Sequence, residues 1–235
     1  MNLVLLEPGE IDGGAAILGG RRAQHIATIH RATVGKTLKV GVLGGSVGRA
    51  TVATLDRDRV VLDDIVLDAS PPPPVACTLI LALPRPRVLG RVLAAAATFG
   101  IKRIVLLGSN RVEKSYWQSP MVGEDAIREA LLLGLEQAGD TMLPLVEKRP
   151  RFRPYVEDEL AEQTENALAL VAHLDGAAPC PSAGDQRVLL AVGPEGGLVD
   201  FEVELLAGVG FAPVTLGQRP LRVEHAVFAL LGRLF

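Results

Sequence analysis

The stretch Arg187–Leu206, RVLLAVGPEGGLVDFEVELL, and its continuation Ala207–Phe235, AGVGFAPVTLGQRPLRVEHAVFALLGRLF, decide the fold. Two apolar, strand-like runs, Arg187–Val192 and Pro213–Leu216, each end in a polar turn that carries glycine, and each turn leads into a helical pattern. Strand–loop–helix units of this kind build an open α/β sheet, and such sheets bind ligands beyond the carboxyl ends of their strands. The first turn, Gly193-Pro194-Glu195-Gly196-Gly197, leaves almost no side chain except Glu195. Bare main chain of this kind lets a ligand reach N–H and C=O groups directly. A plain structural turn reads the same five residues equally well; the second turn, LGQRPLRVEH at 216–225, makes the pair specific.

Together the two turns resemble the carboxyl terminus of the ribosomal-RNA uridine-N3 methyltransferases of the SPOUT class. That family carries a GPEGG loop, a short acidic helix and an LGxRILRxET-like loop before a last helix. Here Gly193–Gly197, Leu216, Gly217, Gln218, Arg219, Leu221, Arg222 and Glu224 stand in the matching places. Pro220, Val223 and His225 depart from it, where the family usually has Ile and two hydroxyl residues. The likeness spans the chain, but only this tail is rich in motif.

Bulk properties are compatible with one domain or two over 235 residues, nearly half of them apolar and few aromatic. A net charge of −3 argues against a generally adhesive nucleic-acid binder, so any RNA contact must come from a local basic surface. Cys77 and Cys180 lie far apart without metal-ligand spacing, and reduced thiols in a cytoplasmic protein are expected. The opening residues MNLVLLEPGE have no basic segment and no long apolar run, so neither a signal peptide nor a membrane span is expected.

Taken in order, Asn2–Leu6 reads as a strand, Arg21–Arg31 as a helix, and Lys36–Val42, Val47–Leu55 and Val60–Leu67 as short strands joined at Gly44-Gly45-Ser46 and Asp56-Arg57-Asp58. A small β-barrel over residues 1–70 follows. In the family this region resembles a PUA-like RNA-binding domain, and His25, Arg31 and Gly35 match its HL..VLR...G stretch, with His30 where Leu is usual. The glycines of 41–48 imitate a nucleotide loop, but they lack G-x-G-x-x-G spacing and a strand pattern follows; a hairpin turn is expected. Four prolines at 71–74 form a stiff linker. Residues 75–235 then alternate strands (Ala76–Leu83, Ile101–Leu107, Leu143–Glu147, Ala167–Ala172) with helices (Arg85–Phe99, Gly123–Ala138, Val156–Thr164). With the two tail strands this predicts about six strands, mostly parallel: an α/β SPOUT domain behind a PUA-like barrel.

Two basic intervals stand out. Arg21, Arg22, Arg31, Lys36, Lys39 and Arg49 precede the first acid after them, Asp56, and Arg85, Arg87, Arg91, Lys102, Arg103 and Arg111 form a second run. Phosphate contacts need such concentrations of Lys and Arg; the alternative is a solvated face whose counter-charges come from elsewhere. Arg21, Arg22, Arg31, Lys36, Arg85 and Arg87 are the RNA-binding candidates. Tyr116 and Trp117 either stack on a splayed base or pack on the sheet.

The resemblance implies S-adenosylmethionine as cofactor, no metal, a trefoil knot, a homodimer, and 16S ribosomal RNA of the small subunit as partner; the apolar last helix either supplies part of the dimer surface or packs in the core. Three loops would hold the cofactor, after Ala172 (beginning His173-Leu174-Asp175-Gly176), Val192 and Leu216, with contacts from Leu170, Ala172, His173, Gly193, Glu195, Gly196, Leu216, Gly217 and Leu221. Uridine N3 must lose a proton, so a base or a cation beside the ring is needed. Glu195, Arg222 and Glu224 are the catalytic candidates, with His225 as a fourth; Glu224 is equally explained by its place in the first turn of a helix. A SPOUT enzyme for another RNA site, ribose 2′-O transfer included, and a non-catalytic RNA-binding assembly factor are the competing readings. No strand is followed by a proper Rossmann glycine fingerprint.

Overall fold

The computed structural model describes residues 2–56, 58–174 and 178–235. By contact the chain divides into two units, Met1–Pro73 with Leu132–Leu143, and Pro74–Leu131 with Pro144–Phe235.

The first unit is a six-stranded sheet in the order β1-β4-β5-β6-β3-β2, with β1 (Val4–Leu6), β2 (Ile11–Asp12), β3 (Ala15–Gly19), β4 (Thr37–Val42), β5 (Val47–Leu55) and β6 (Arg59–Ala69). Only β1 and β4 run parallel; the other pairs are antiparallel. Alternating side chains such as Val40, Val52, Val60 and Leu62 form the core with Ala23 and Ile26 of α1 (Gly20–Thr28). The glycines of 41–48 make the hairpin between β4 and β5, with Gly44 at φ 75°. The β2–β3 hairpin, which the sequence reading omits, turns on Gly13 and Gly14 at φ 55° and 83°. Positive φ at both central residues is the requirement of a tight two-residue hairpin turn, and the Gly13-Gly14 pair is its signal. Helix α1 ends at Thr28, three residues before the expected Arg31, because Arg31 itself takes a left-handed conformation at φ 43°. Arg57, in the turn expected between β5 and β6, lies outside the described residues.

The segment Leu132–Leu143 packs in this unit although it follows the proline linker. Polar groups hold it there: the Glu136 carbonyl accepts from Asn2 and Leu3 N–H, its buried carboxylate accepts both arms of Arg21, and the Thr141 hydroxyl donates to the Gly45 carbonyl.

The second unit holds a seven-stranded sheet in the order β11-β13-β10-β12-β7-β8-β9, every neighbouring pair parallel. Its strands are β7 (Cys77–Ala82), β8 (Arg103–Leu107), β9 (Leu145–Arg149), β10 (Ala167–Ala172), β11 (Ala178–Pro179), β12 (Arg187–Val192) and β13 (Ala212–Thr215). Continuous apolar runs mark strands covered on both faces, and every residue of β7 is buried. Helix α2 (Pro86–Thr98) begins with Pro at its first position, where no N–H is missed, and stops at Gly100 with φ 88°. Helix α3 (Glu124–Ala138) belongs to this unit up to Leu131, and α5 (Asp200–Gly208) and α6 (Val223–Leu234) complete its regular elements with the short α4 (Phe152–Pro154). The helix expected at Val156–Thr164 is instead a π-helical stretch, Tyr155–Leu160, followed by a 3-10 turn, Ala161–Thr164. A five-residue repeat puts Tyr155 and Leu160 on one buried face, which an α-turn would separate. Strand β9 lies two residues beyond its expected start because its partner is Arg103–Leu107 and its own exposed, polar residues give little apolar signal.

A Cβ at Gly108, just past β8, would stand 2.0 Å from the Pro150 carbonyl oxygen, whereas one at Gly208, at the end of α5, meets nothing within 4 Å. Gly108→Ala should cost roughly 2–4 kcal/mol, and Gly208→Ala should stabilise by about 0.5–1 kcal/mol, both read from urea denaturation midpoints.

Candidate active site

The site lies at the carboxyl ends of three strands. Pairing sets Ala172 of β10 opposite Val192 of β12 and Val214 of β13, so the three strands end level with one another. The loops that follow converge on a cavity of about 350 Å³ in the second unit. Ala172, Val192, Leu198, Val214, Ala226 and Leu230 give it apolar walls, and the main chain of Gly193, Gly196 and Gly217 forms its rim. Arg111, Arg219, His173 and Glu195 are the ionisable residues on its wall. An enclosure of this size with apolar walls, open backbone groups and few charges suits a nucleoside carrying a short charged tail.

Each glycine of the 193–197 loop has its own cause. A Cβ at Gly193 would press the Leu198 N–H at 3.0 Å; Gly197 sits at φ 73°; Gly196 has ordinary φ but receives the side chain of Arg111, whose Cδ would stand 3.0 Å from a Cβ there. The loop closes with Gly197 N–H donating to the Pro194 carbonyl at 2.8 Å. The loop after β13 is closed by the Thr215 hydroxyl, which donates to the Gly217 carbonyl and accepts from Gly217 N–H. Gly217 has φ 122°, open to glycine alone without strain.

Of the expected cofactor residues, Ala172, His173, Gly193, Glu195, Gly196, Leu216, Gly217 and Leu221 line the cavity. Leu170 does not: it is two residues inside β10, with its backbone paired between Leu190 and Ala212. Asp175 and Gly176 of the first loop lie outside the described residues.

Among the catalytic candidates, Glu195 lines the cavity, and its carboxylate accepts from Arg85 N–H at the start of α2 at 3.0 Å. Arg222 is the exposed N-cap residue of α6 and has no ion-pair partner among the described residues. Glu224 is buried in the first turn of α6 and pairs with Arg91 at 3.3 Å rather than with Arg222. His225 is exposed on the same helix, outside the cavity.

The two basic intervals differ. Arg21 pairs with Glu136, and Arg22 with Glu10 and the Leu5 carbonyl, so acids outside the first interval neutralise both. The Arg22 guanidinium holds the Glu10 carboxyl below its usual range. Arg31 is exposed, and Lys36 donates to the His30 carbonyl. His25 and His30 meet edge to face at 5.3 Å, and burial, with a smaller share from His30, keeps the His25 imidazole below its usual pKa. In the second interval Arg85 and Arg87 are both exposed. The Tyr116 hydroxyl donates to Glu113, and burial, then that bond, pushes the phenol upward. Tyr116 and Trp117 are half-buried in a 3-10 turn, Lys114–Gln118.

Two residues escaped the sequence reading. Arg111 was visible only as one basic residue among several. Glu202 is 3% exposed, and its carboxylate accepts Asn110 N–H at 2.7 Å and Val199 N–H at 3.0 Å. The usual signature for such a residue is a hydroxyl three positions earlier, and Val199 stands there. Among the described residues no group of three or more His, Cys, Asp or Glu is placed to hold a metal ion, and no helix is long and apolar enough to cross a membrane.

Comparison with known proteins gives concordant results. A family model described as RNA methyltransferase domain matches residues 71–234. Ribosomal RNA small subunit methyltransferase E of Treponema pallidum is 30% identical, over 97% of this chain and 88% of its own length. The protein of the same name from Synechocystis is 28% identical, over 98% and 76%. The solved structure of a Neisseria gonorrhoeae ribosomal RNA small subunit methyltransferase E, bound to S-adenosyl methionine, superposes with a TM-score of 0.74 over 99% of this chain and 95% of its own, at 20% identity, a likeness of fold.

Glu202→Gln replaces one acceptor oxygen by a donor facing a backbone N–H. It should lower stability by about 2–3 kcal/mol, measured by denaturant titration.

Proposed function

The chain belongs to the ribosomal RNA small subunit methyltransferase E family, and on that premise we propose that it methylates N3 of a uridine in 16S ribosomal RNA, using S-adenosylmethionine. The observation that carries this reading is the convergence of three strand-end loops, bare main chain at their rims, on one apolar-walled cavity.

The cofactor, when bound, supplies a methyl group already activated by its sulfonium. The chain supplies binding and alignment. Apolar walls at Val192, Leu198, Val214 and Leu230 take the adenine face, and the backbone around Gly193, Gly196 and Gly217, bare of side chains, lets its edge come close to main chain. Glu195, the carboxylate on the cavity wall, takes the proton from N3. Arg222, exposed and without an ion-pair partner among the described residues, stabilises the negative charge left on the ring. Glu224, held by Arg91, fixes the start of α6 and so the placement of Arg222.

The strand-end loops of β10, β12 and β13 form the trefoil-knotted cofactor site of the SPOUT class in this reading, residues 75–235 are its catalytic domain, and residues 1–70 its PUA-like RNA-binding barrel. Arg31, Arg85 and Arg87, exposed without an acidic partner among the described residues, contact phosphates; Arg21, Arg22 and Lys36, each already bonded within the chain, are the further candidates. The protein acts as a homodimer in the cytoplasm, with exposed Phe228 of α6 in the shared surface.

Incubation with 16S ribosomal RNA or small subunits and labelled cofactor, followed by nucleoside mass spectrometry, should yield 3-methyluridine; methylation of ribose alone would reject N3 transfer. Arg222→Ala should lower kcat about ten- to a hundredfold while cofactor affinity by calorimetry stays within about twofold. Light scattering at micromolar concentration should give twice the chain mass.

A further inference from the structure

We propose that Arg111 is a positioning residue for the cofactor loop, and that residue 196 is glycine to seat it. The inference rests on the cofactor reading above and names a residue outside the family-like motifs.

Three observations meet at this point. Arg111 follows β8, two strands away from β12 in the sheet, yet its Nη1 donates to the Gly196 carbonyl. Its stem lies along the same glycine: a Cβ at Gly196 would be 3.0 Å from Cδ and 3.4 Å from the Arg111 Cβ. Gly196 has no left-handed φ, so backbone conformation does not demand glycine there, unlike Gly197. The turn that carries Arg111 is fixed on both sides. Gly108 N–H donates to the Arg149 carbonyl at 2.8 Å, and Asn110 N–H donates to the buried Glu202 carboxylate, which also takes Val199 N–H. Arg111 therefore projects from an anchored base onto the one segment of the loop that has no strand or helix of its own. A carbonyl held by a guanidinium cannot rotate freely, so the peptide plane between Gly196 and Gly197 keeps the orientation that lines the cavity.

The rival explanation of Gly196 is that a ligand needs the bare backbone. The two differ in additivity, because residues in contact are coupled and independent ones are not. Cofactor affinity is measured by calorimetry for the wild type, R111A, G196A and R111A/G196A, with thermal melts as the fold control. R111A and G196A should each weaken binding about tenfold. The double variant should be within about twofold of R111A alone, since the clash that the added methyl of G196A creates goes with the Arg111 side chain. R111K, which keeps the stem and a donor, should recover most of the affinity. In turnover, R111A should raise KM for the cofactor and leave kcat at saturation within about threefold. R111Q is the second truncation, read the same way, should R111A fail to fold. Wild-type affinity in R111A, a G196A penalty undiminished in the R111A background, or a loss in kcat with KM unchanged would each overturn the positioning role. Wild-type protein that takes up no cofactor would overturn the proposed function itself, and this role with it.

Discussion

The level ending of β10, β12 and β13 is the constraint on which the rest of the site depends. Backbone pairing holds Ala172, Val192 and Val214 side by side, and parallel strands send their following loops out of the same edge. A shift of one residue in any of the three would exchange the side chains packed on its two faces and put its loop out of step with the other two. The buried runs ALALVA and RVLLAV resist this, since nearly every side chain has a packed neighbour. Register therefore carries over directly into the shape of the cavity.

The glycine loop after β12 has little to hold it from within. It has few side chains, one internal turn bond and no regular structure before α5. Its order comes from its neighbours: Glu195 reaches the start of α2, Glu202 takes the Asn110 N–H, and Arg111 bonds the Gly196 carbonyl. A loop that must offer its main chain to a ligand cannot use that main chain to hold itself, so the fixing groups come from adjoining strand ends. The carboxylate of Glu202 joins two backbone segments through charge-assisted bonds, the strongest type the interior offers without a metal or a disulfide.

Charge distribution along the chain misleads when read linearly. The interval from Arg21 to Asp56 holds no acid before its end, yet Arg21 and Arg22 are matched by Glu136 and Glu10. Arg91 is matched by Glu224 in the same way. What distinguishes Arg31, Arg87 and Arg222 is exposure without an acidic partner among the described residues, a property of three-dimensional placement. Desolvation cost explains the pattern: a half-buried guanidinium such as Arg22 must have a carboxylate nearby, and an exposed one need not.

Local chemistry made much of this protein legible. Apolar runs of strand length, prolines at 71–74 and glycines at helix ends marked most elements of the parallel sheet and most of their limits, and the two glycine turns carry six of the nine expected cofactor residues, all on the wall of the cavity. The short strands β2, β3 and β11 escaped, and so did the π-helical turn, because short or unusual elements are selected by what they pack against. Leu170 stands inside β10, off the cavity wall, for a related reason: sequence shows that a strand leads to a site, but pairing decides where it stops. Tertiary structure alone put β12 between β10 and β7, brought Arg111 across to Gly196, and gave Glu224 to Arg91. Side-chain period and turn propensity act over a few residues, while strand order and ion pairing join residues far apart in the chain, and no local pattern encodes them.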